Sequence, residues 1–445
     1  MSPFKISYSS ASILFICFIL SAVIFAYKPW GKSERSPIKS DVAGYYVYLP
    51  AVFVYHDLNM NFKDKHPEIE KAGCIFNKTP RGYTSKCYPG LSLLYLPFFL
   101  LAHLAALLFG YEASGYSAPY IVAMALHPIF YLGIGLFYLS KSLKVYFADL
   151  VVTIVLLILS LSTNLFFYTT FGGNMSHFYI FLLFTLIIWL TIQWHIDFKS
   201  KYLIMMGALI GLCAISRPTS VIIILFPLLF NIHSLKDVTS KISKNILSIF
   251  LAIFAFITII SILLIYWKYI SGNWFYYSYN GERFHFDDPH IFEVLVGFKK
   301  GWLIYTPVMT FSVVGLFWLK KYDKKQLALP IFIILTLHIY IISSWWCWWY
   351  GGSMGMRAMV EQYAILSFPL CAFIQMLYEY KVKVLTAIIT TFIVLFTVLN
   401  LFQSAQYLKS VLWYDGLNYK AYKKIFGRLN LTEQEKEELK KTLTE

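Results

Sequence analysis

Long uninterrupted apolar runs recur along the chain, near 9–27, 90–110, 119–140, 149–168, 175–194, 246–268, 302–319, 327–344, 364–380 and 384–403. Most approach the ~20 residues that a helix needs to cross a bilayer at 1.5 Å per residue. Lipid offers backbone N–H and C=O groups no partner, so helices are the expected form of every run. The stretch 203–232 is long enough for two short spans broken at Arg217-Pro218. No internal repeat and no low-complexity linker interrupts the series. The pattern predicts an all-α polytopic membrane protein.

The loops orient it. Lys141 and Lys144, Lys199 and Lys201, and Lys236, Lys241 and Lys244 fall in every second loop. So do Lys320, Lys321, Lys324 and Lys325, and then Lys381 and Lys383. The positive-inside bias puts these in the cytoplasm and leaves 168–176, the stretch around Arg217, 269–301 and 345–363 outside. Counting from the N-terminus then produces a conflict if Lys5 is cytoplasmic and every run spans. Either 90–110 does not cross, or the N-terminus is outside and the basic loop 28–89 is cytoplasmic. The first run reads as a retained signal anchor, which favours the first arrangement. Charge alone leaves both open.

Composition agrees with lipid as the main solvent: 58% of residues are hydrophobic and only 14% charged. Aromatic residues make up 19%, as interfacial Tyr and Trp belts require. The net charge of +15 resides largely in short loops, where it sets orientation, so nucleic acid is set aside as a partner. Cys74 and Cys87 share a polar loop. They can form a disulfide if that loop is extracytoplasmic, or remain free thiols.

Several polar residues carry candidate chemistry. Asp41, in SDVAGYYVYLP just after the first run, could act as a general base if partly desolvated; capping a helix among belt tyrosines (Tyr45, Tyr46, Tyr48) is the plainer role. His177 follows the turn Gly172-Gly173 and starts the next run, where it could donate, accept or ligate a metal. Arg217 places a full charge in an apolar stretch, which is costly unless it pairs or lines a cavity. The outer loop 271–307 mixes Arg283, Lys299 and Lys300 with Glu282, Asp287, Asp288 and Glu293 among aromatics, a mixture suited to sugar stacking and phosphate contact. In WWYGGSMGMRAMVEQY, Arg357 and Glu361 stand four apart. On an α-helix they would share a face and pair, leaving Arg357 to grip a phosphate bidentately. The last segment, LTEQEKEELKKTLTE, has Thr432 as N-cap and Glu435 to complete a capping box on a solvated helix.

The strings SDVAGYYVYLP, YPGLSLLYLPFF, ISRPT, FKKGWLIYTP and WWYGGSMGMRAMVEQY, in this order, resemble the membrane-embedded glycosyltransferases of the GT-C superfamily. More narrowly, they resemble a bacterial, family-39-like or mannosyltransferase-like branch akin to the protein O-mannosyltransferases. The resemblance covers most of residues 1–403. It implies a long first outer loop, 28–118, whose interfacial helices include 90–110, and hence about eleven spans. It also implies a cytoplasmic N-terminus and a short polar tail, 404–445, outside. Asp41 matches the family's first-loop acid. Relatives often carry a second acid after the third span, whereas this chain has FFYTTFGGNMSH there, with His177 in roughly that place. That departure puts a divalent metal in doubt.

The resemblance implies transfer of a sugar from a polyprenyl-phosphate donor to a glycan, lipid or protein acceptor, at the outer face of a bacterial cytoplasmic (inner) membrane. Asp41 would be the base, with His177 beside it in catalysis. Arg357, Arg217, Lys299 and Lys300 would hold the donor phosphate, and Tyr45, Tyr46, Glu361 and Arg283 would meet the sugar or acceptor. Direct displacement with one base implies inversion at the anomeric carbon. The rival classes are a transporter or flippase for lipid-linked saccharides, a glycan ligase or polymerase, and a scaffold without chemistry.

Overall fold

The computed structural model describes residues 6–31, 33–232, 234–323 and 327–444. Lys5, Lys324 and Lys325, used above for orientation, lie outside the described residues. Seven helices among the described residues are long and apolar enough to cross a membrane. They are Tyr8–Tyr27, Gly90–Phe109, Ala118–Leu143, Ser176–Asp197, Ile246–Ser271, the segment Arg357–Tyr380, and Lys383–Leu408. Asp149–Leu161, Ser200–Ser216, Pro218–Leu229 and Ala328–Ser343 are shorter apolar helices. The chain is an all-α polytopic membrane protein. Its one sheet among the described residues is a hairpin, Phe76–Thr79 paired antiparallel with Gly82–Ser85.

Proline sets the breaks. Arg217 is extended (φ −154°, ψ 103°) where the helix Ser200–Ser216 stops before Pro218, as the sequence predicts. The run 302–319 is not one helix. It divides into Trp302–Tyr305, a 3-10 turn Pro307–Met309 and Thr310–Asp323, with Thr306 driven out of the helical region ahead of Pro307. Gly90–Phe109 meets the same length and composition standard as the spans, so those two properties do not separate lying along a membrane from crossing it.

The chain divides into two compact units. The tail unit comprises Met1–Ile16, Leu139–Phe167 and Arg283–Glu445. Its centre is Tyr363–Tyr380, buried through most of its length, against which Asp149–Leu161 and Thr310–Asp323 pack. Ser9 Oγ donates to Asp149 Oδ1 at 2.5 Å and ties the start of the first helix to this unit.

The loop unit comprises Cys17–Tyr138 and Tyr168–Glu282. Here Ser200–Ser216 lies against Ile246–Ser271, and two glycines one turn apart permit the approach. A Cβ on Gly207 would sit 2.1 Å from the Ala252 carbonyl oxygen, and one on Gly211 would sit 3.0 Å from that of Phe256. Close helix contact through small residues spaced four apart is how membrane helices gain dispersion energy without a hydrophobic drive. The first-loop residues Val47, Tyr48, Ala51, Met60 and Phe62 form one apolar cluster with Trp267 and Ile270 at the end of the second of these helices.

Candidate functional site

In the loop unit, a short helix Asp41–Tyr46 follows directly on Ser40, and Asp41 stands in its first turn, where the helix dipole favours a carboxylate. The hairpin presses on this helix: a Cβ on Gly44 would meet Cys87 Sγ and Ser85 Oγ, both at 2.9 Å. Ser85 Oγ donates to the Gly44 carbonyl at 2.8 Å, Tyr48 Oη to the Cys87 carbonyl at 2.8 Å, and Ser92 Oγ to the Tyr45 carbonyl at 2.5 Å. The bonds to Gly44 and Tyr45 satisfy carbonyls that so short a helix leaves open, and the bond to Cys87 ties the following turn to the hairpin's end.

Tyr45 is the hub of this neighbourhood. Burial pushes its phenol well above the usual tyrosine value, and the nearby Cys87 and Asp41 push the same way. A hydrogen bond with Ser176 and the charge of Arg217 pull it back. Asp41, Tyr45, Ser176 and Arg217 therefore share one electrostatic neighbourhood. His177, the residue after Ser176, is 1% exposed. Tyr46 faces elsewhere: its hydroxyl donates to the Gly115 carbonyl at 2.5 Å, and its ring packs edge-on against Phe99 and Tyr116. Cys74 and Cys87 are both free thiols, so of the two alternatives for this pair the structure has the unlinked one. Ser85 stands between them in contact, with Cys74 Sγ 3.9 Å from Ser85 Oγ and Cys87 N donating to that oxygen at 3.1 Å.

In the tail unit, the basic residues gather on an irregular segment, 345–356. Asn164 Nδ2 donates to the Met354 and Met356 carbonyls at 3.2 and 3.4 Å, and its Oδ1 accepts from Tyr363 Oη at 2.6 Å. Lys300, only 2% exposed, donates to the Ser353 carbonyl and, at 2.7 Å, to that of Tyr414. Burial lowers its value to about 7; the Arg357 and Lys299 charges add to that, and Asp415 opposes it. Lys299 Nζ stands 3.4 Å over the Trp349 ring, whose Nε1 donates to Asp415 Oδ1 at 2.9 Å. Arg357 is half-buried, with its guanidinium 6.0 Å from the Tyr350 ring.

The premise of one expectation changes here. Residues Arg357–Gln362 form a 3-10 helix, not an α-helix, and at three residues per turn positions four apart do not share a face. The α-helical spacing argument for pairing Arg357 with Glu361 thus does not apply, and Glu361 is fully buried. Arg283 is exposed, and its carbonyl accepts from Trp346 N at 3.1 Å beside the bridge between Phe284 and Trp345. The capping box is present as expected: Glu435 N donates to Thr432 Oγ1 at 3.3 Å, and Thr432 N to Glu435 Oε2 at 2.8 Å.

Sequence reasoning missed the tail's contribution. Residues 411–419 fold back on the unit: Ser353 N donates to the Tyr414 carbonyl at 3.1 Å, and Asp415 joins the Lys299 cluster. The run WYDG offered one signal, a carboxylate directly after two aromatic residues. No group of three or more His, Cys, Asp or Glu side chains among the described residues could hold a metal ion. The described residues do not make a full metal-ligand set.

This fold and these clusters define a polytopic helical membrane protein with an acid–tyrosine pair in its first loop and Arg217 in the same electrostatic neighbourhood. No family model matches the chain, and no curated protein matches it. Among solved structures, the chain is similar to the archaeal oligosaccharyltransferase AglB from Archaeoglobus fulgidus in complex with an inhibitory peptide and a dolichol-phosphate. The TM-score is 0.52 at 12% identity, covering 98% of this chain and 60% of that one. A second match, the oligosaccharyltransferase of the same organism in the apo form, has a TM-score of 0.49 at 10% identity over 100% of this chain and 60% of that chain. The chain thus spans about 60% of the length of the structures it matches. The first likeness shows that the chain shares the fold of that membrane oligosaccharyltransferase.

Proposed function

We propose that the protein is a GT-C glycosyltransferase that moves a sugar from a polyprenyl-phosphate donor to an acceptor at the outer face of a bacterial cytoplasmic membrane. The observation that carries this reading is the convergence of Asp41 and Arg217 on the buried Tyr45, beneath a fold like that of an enzyme bound to dolichol-phosphate. Asp41 takes the proton of the acceptor hydroxyl as its oxygen attacks the anomeric carbon. The bond from that carbon to the donor phosphate breaks, and the phosphate leaves on the lipid with its negative charge. Arg217, in the same unit as Asp41, offsets that charge with bidentate contacts. His177 supports the catalytic group from the Ser176 side, and Gly90–Phe109 lies along the outer face. Lys300 holds the Ser353 and Tyr414 carbonyls and so positions the segment leading to Arg357; Lys299 stays on the Trp349 face. Attack opposite the leaving phosphate gives inversion.

One observation favours the transporter class: the chain has a second Pro-broken helix, at Thr306-Pro307, besides the one at Arg217-Pro218, and broken helices are a transporter hallmark. One assay decides. Protein in liposomes is given polyprenyl-phosphate hexoses with peptide, glycan and lipid acceptors, and products are read by mass spectrometry. One acceptor gaining one hexose, with polyprenyl phosphate released, is the expected result. Donor crossing the bilayer without any covalent product would overturn the proposal.

A further inference from the structure

Away from the acid-bearing loop, the tail unit contains a cleft of about 480 Å³. It lies within the ~300–1,000 Å³ range of ligand pockets. Three stretches distant in sequence build it: Glu293 to Lys299, Trp348, and Trp413 to Tyr419, with Leu443 of the terminal helix closing one side. Its form is fixed by backbone as well as side chains. Gly416 has φ +130°, and a Cβ there would lie 2.4 Å from Lys299 Cγ, so only glycine lets the returning tail reach the lysine. Asn418 caps the helix Tyr419–Ile425 by accepting from Ala421 N at 2.8 Å, and its amide donates to the Thr442 carbonyl at 2.6 Å. Phe298 lies against Tyr419 and Tyr422, with ring centroids 5.0 and 5.3 Å away.

The chemistry of the walls is selective. Trp348, Trp413, Phe298 and Tyr419 supply aromatic surface, and Glu293 and Asp415 supply acceptors. Among the lining side chains two carboxylates face one ammonium, and that ammonium is committed to the Trp349 face. His290 stacks on Trp348 at 5.2 Å and stands 3.9 Å from Glu293. Such a lining repels phosphate, sulfate and uronate. It suits a ligand with an apolar face for the indoles and a rim of hydroxyl donors for the carboxylates, as an uncharged pyranose has.

We infer that this cleft binds a neutral oligosaccharide, which makes a glycan the acceptor class; that last clause rests on the sugar-transfer reading, whereas binding itself does not. The test uses the full-length protein in lipid nanodiscs without any donor. Neutral trisaccharides of glucose, galactose and mannose are the probes, read by saturation-transfer NMR. Saturation on ring C–H protons of at least one trisaccharide is expected. Trp413→Ala should weaken it about tenfold while Trp413→Phe stays near wild type, because stacking needs only an aromatic face. Asp415→Asn should weaken it less. Asp41→Asn should bind as wild type does, so failure of transfer and failure of binding are read separately. Three results would each overturn the inference: no saturation from any probe with monodisperse protein, saturation unchanged in Trp413→Ala, or displacement by inorganic pyrophosphate.

Discussion

The loop unit and the tail unit solve one problem in different ways. Each must hold irregular backbone whose carbonyls have no helical partner. The loop unit does it with neutral hydroxyls: Tyr46, Tyr48, Ser85 and Ser92 each donate to a carbonyl. The tail unit does it with Asn164, His338 and the ammonium of Lys300. Neutral donors leave the charge of Asp41 and Arg217 as the main local field. A buried cation used as a structural donor instead shifts with pH. Polar residues that look alike in sequence therefore separate into those that hold backbone and those that, on the proposed reading, act on a ligand.

The largest break in this contrast should come from Lys300→Met. It removes the donor to two carbonyls, at ~1–3 kcal/mol for each one left unsatisfied. A fall of several degrees in the thermal midpoint of the detergent-solubilised protein is expected. Tyr46→Phe removes one neutral donor in the loop unit and should cost ~1–3 kcal/mol by the same measurement, with no change in pH dependence. The pH profile sharpens the comparison. Lys300 has a value of about 7 in the folded state against 10.5 as an ordinary lysine. Between those two values the unfolded chain carries the extra proton, so wild-type stability should rise with pH above about 7 relative to Lys300→Met. A constant difference between the two proteins from pH 6 to 9 would refute the structural role of a buried ammonium. The smallest effect belongs to Thr432→Ala, which removes one half of the capping box at ~1 kcal/mol and should leave transfer unaltered.

Much of the helical frame was legible from apolar run length. The run 119–140 appears as Ala118–Leu143, 175–194 as Ser176–Asp197, and 246–268 as Ile246–Ser271. Length sufficed because lipid leaves the backbone no alternative. The break at Arg217-Pro218 was legible for the same reason in reverse. Thr306-Pro307 was not, since the flanking residues are as apolar as a span. The hairpin at 76–85 is too short and polar to show alternation, and the 3-10 turn at Arg357 has no compositional mark separating it from an α-helix. The candidate site was half legible. Asp41, Tyr45 and Arg217 could be selected as residues, but their convergence depends on how the first loop folds. The cleft was illegible because Asp415 lies far along the chain from Lys299, and only the returning tail brings them together.

The central claim is that Asp41 is the base for inverting sugar transfer from a lipid phosphate. It is tested most directly by single-turnover transfer in liposomes, wild type against Asp41→Asn, with the product's anomeric configuration read by NMR. The account predicts a product inverted relative to the donor, and a loss of ~10²–10⁴-fold in rate for a variant that remains inserted and folded. Wild-type rate in Asp41→Asn, or a product of retained configuration, would contradict it.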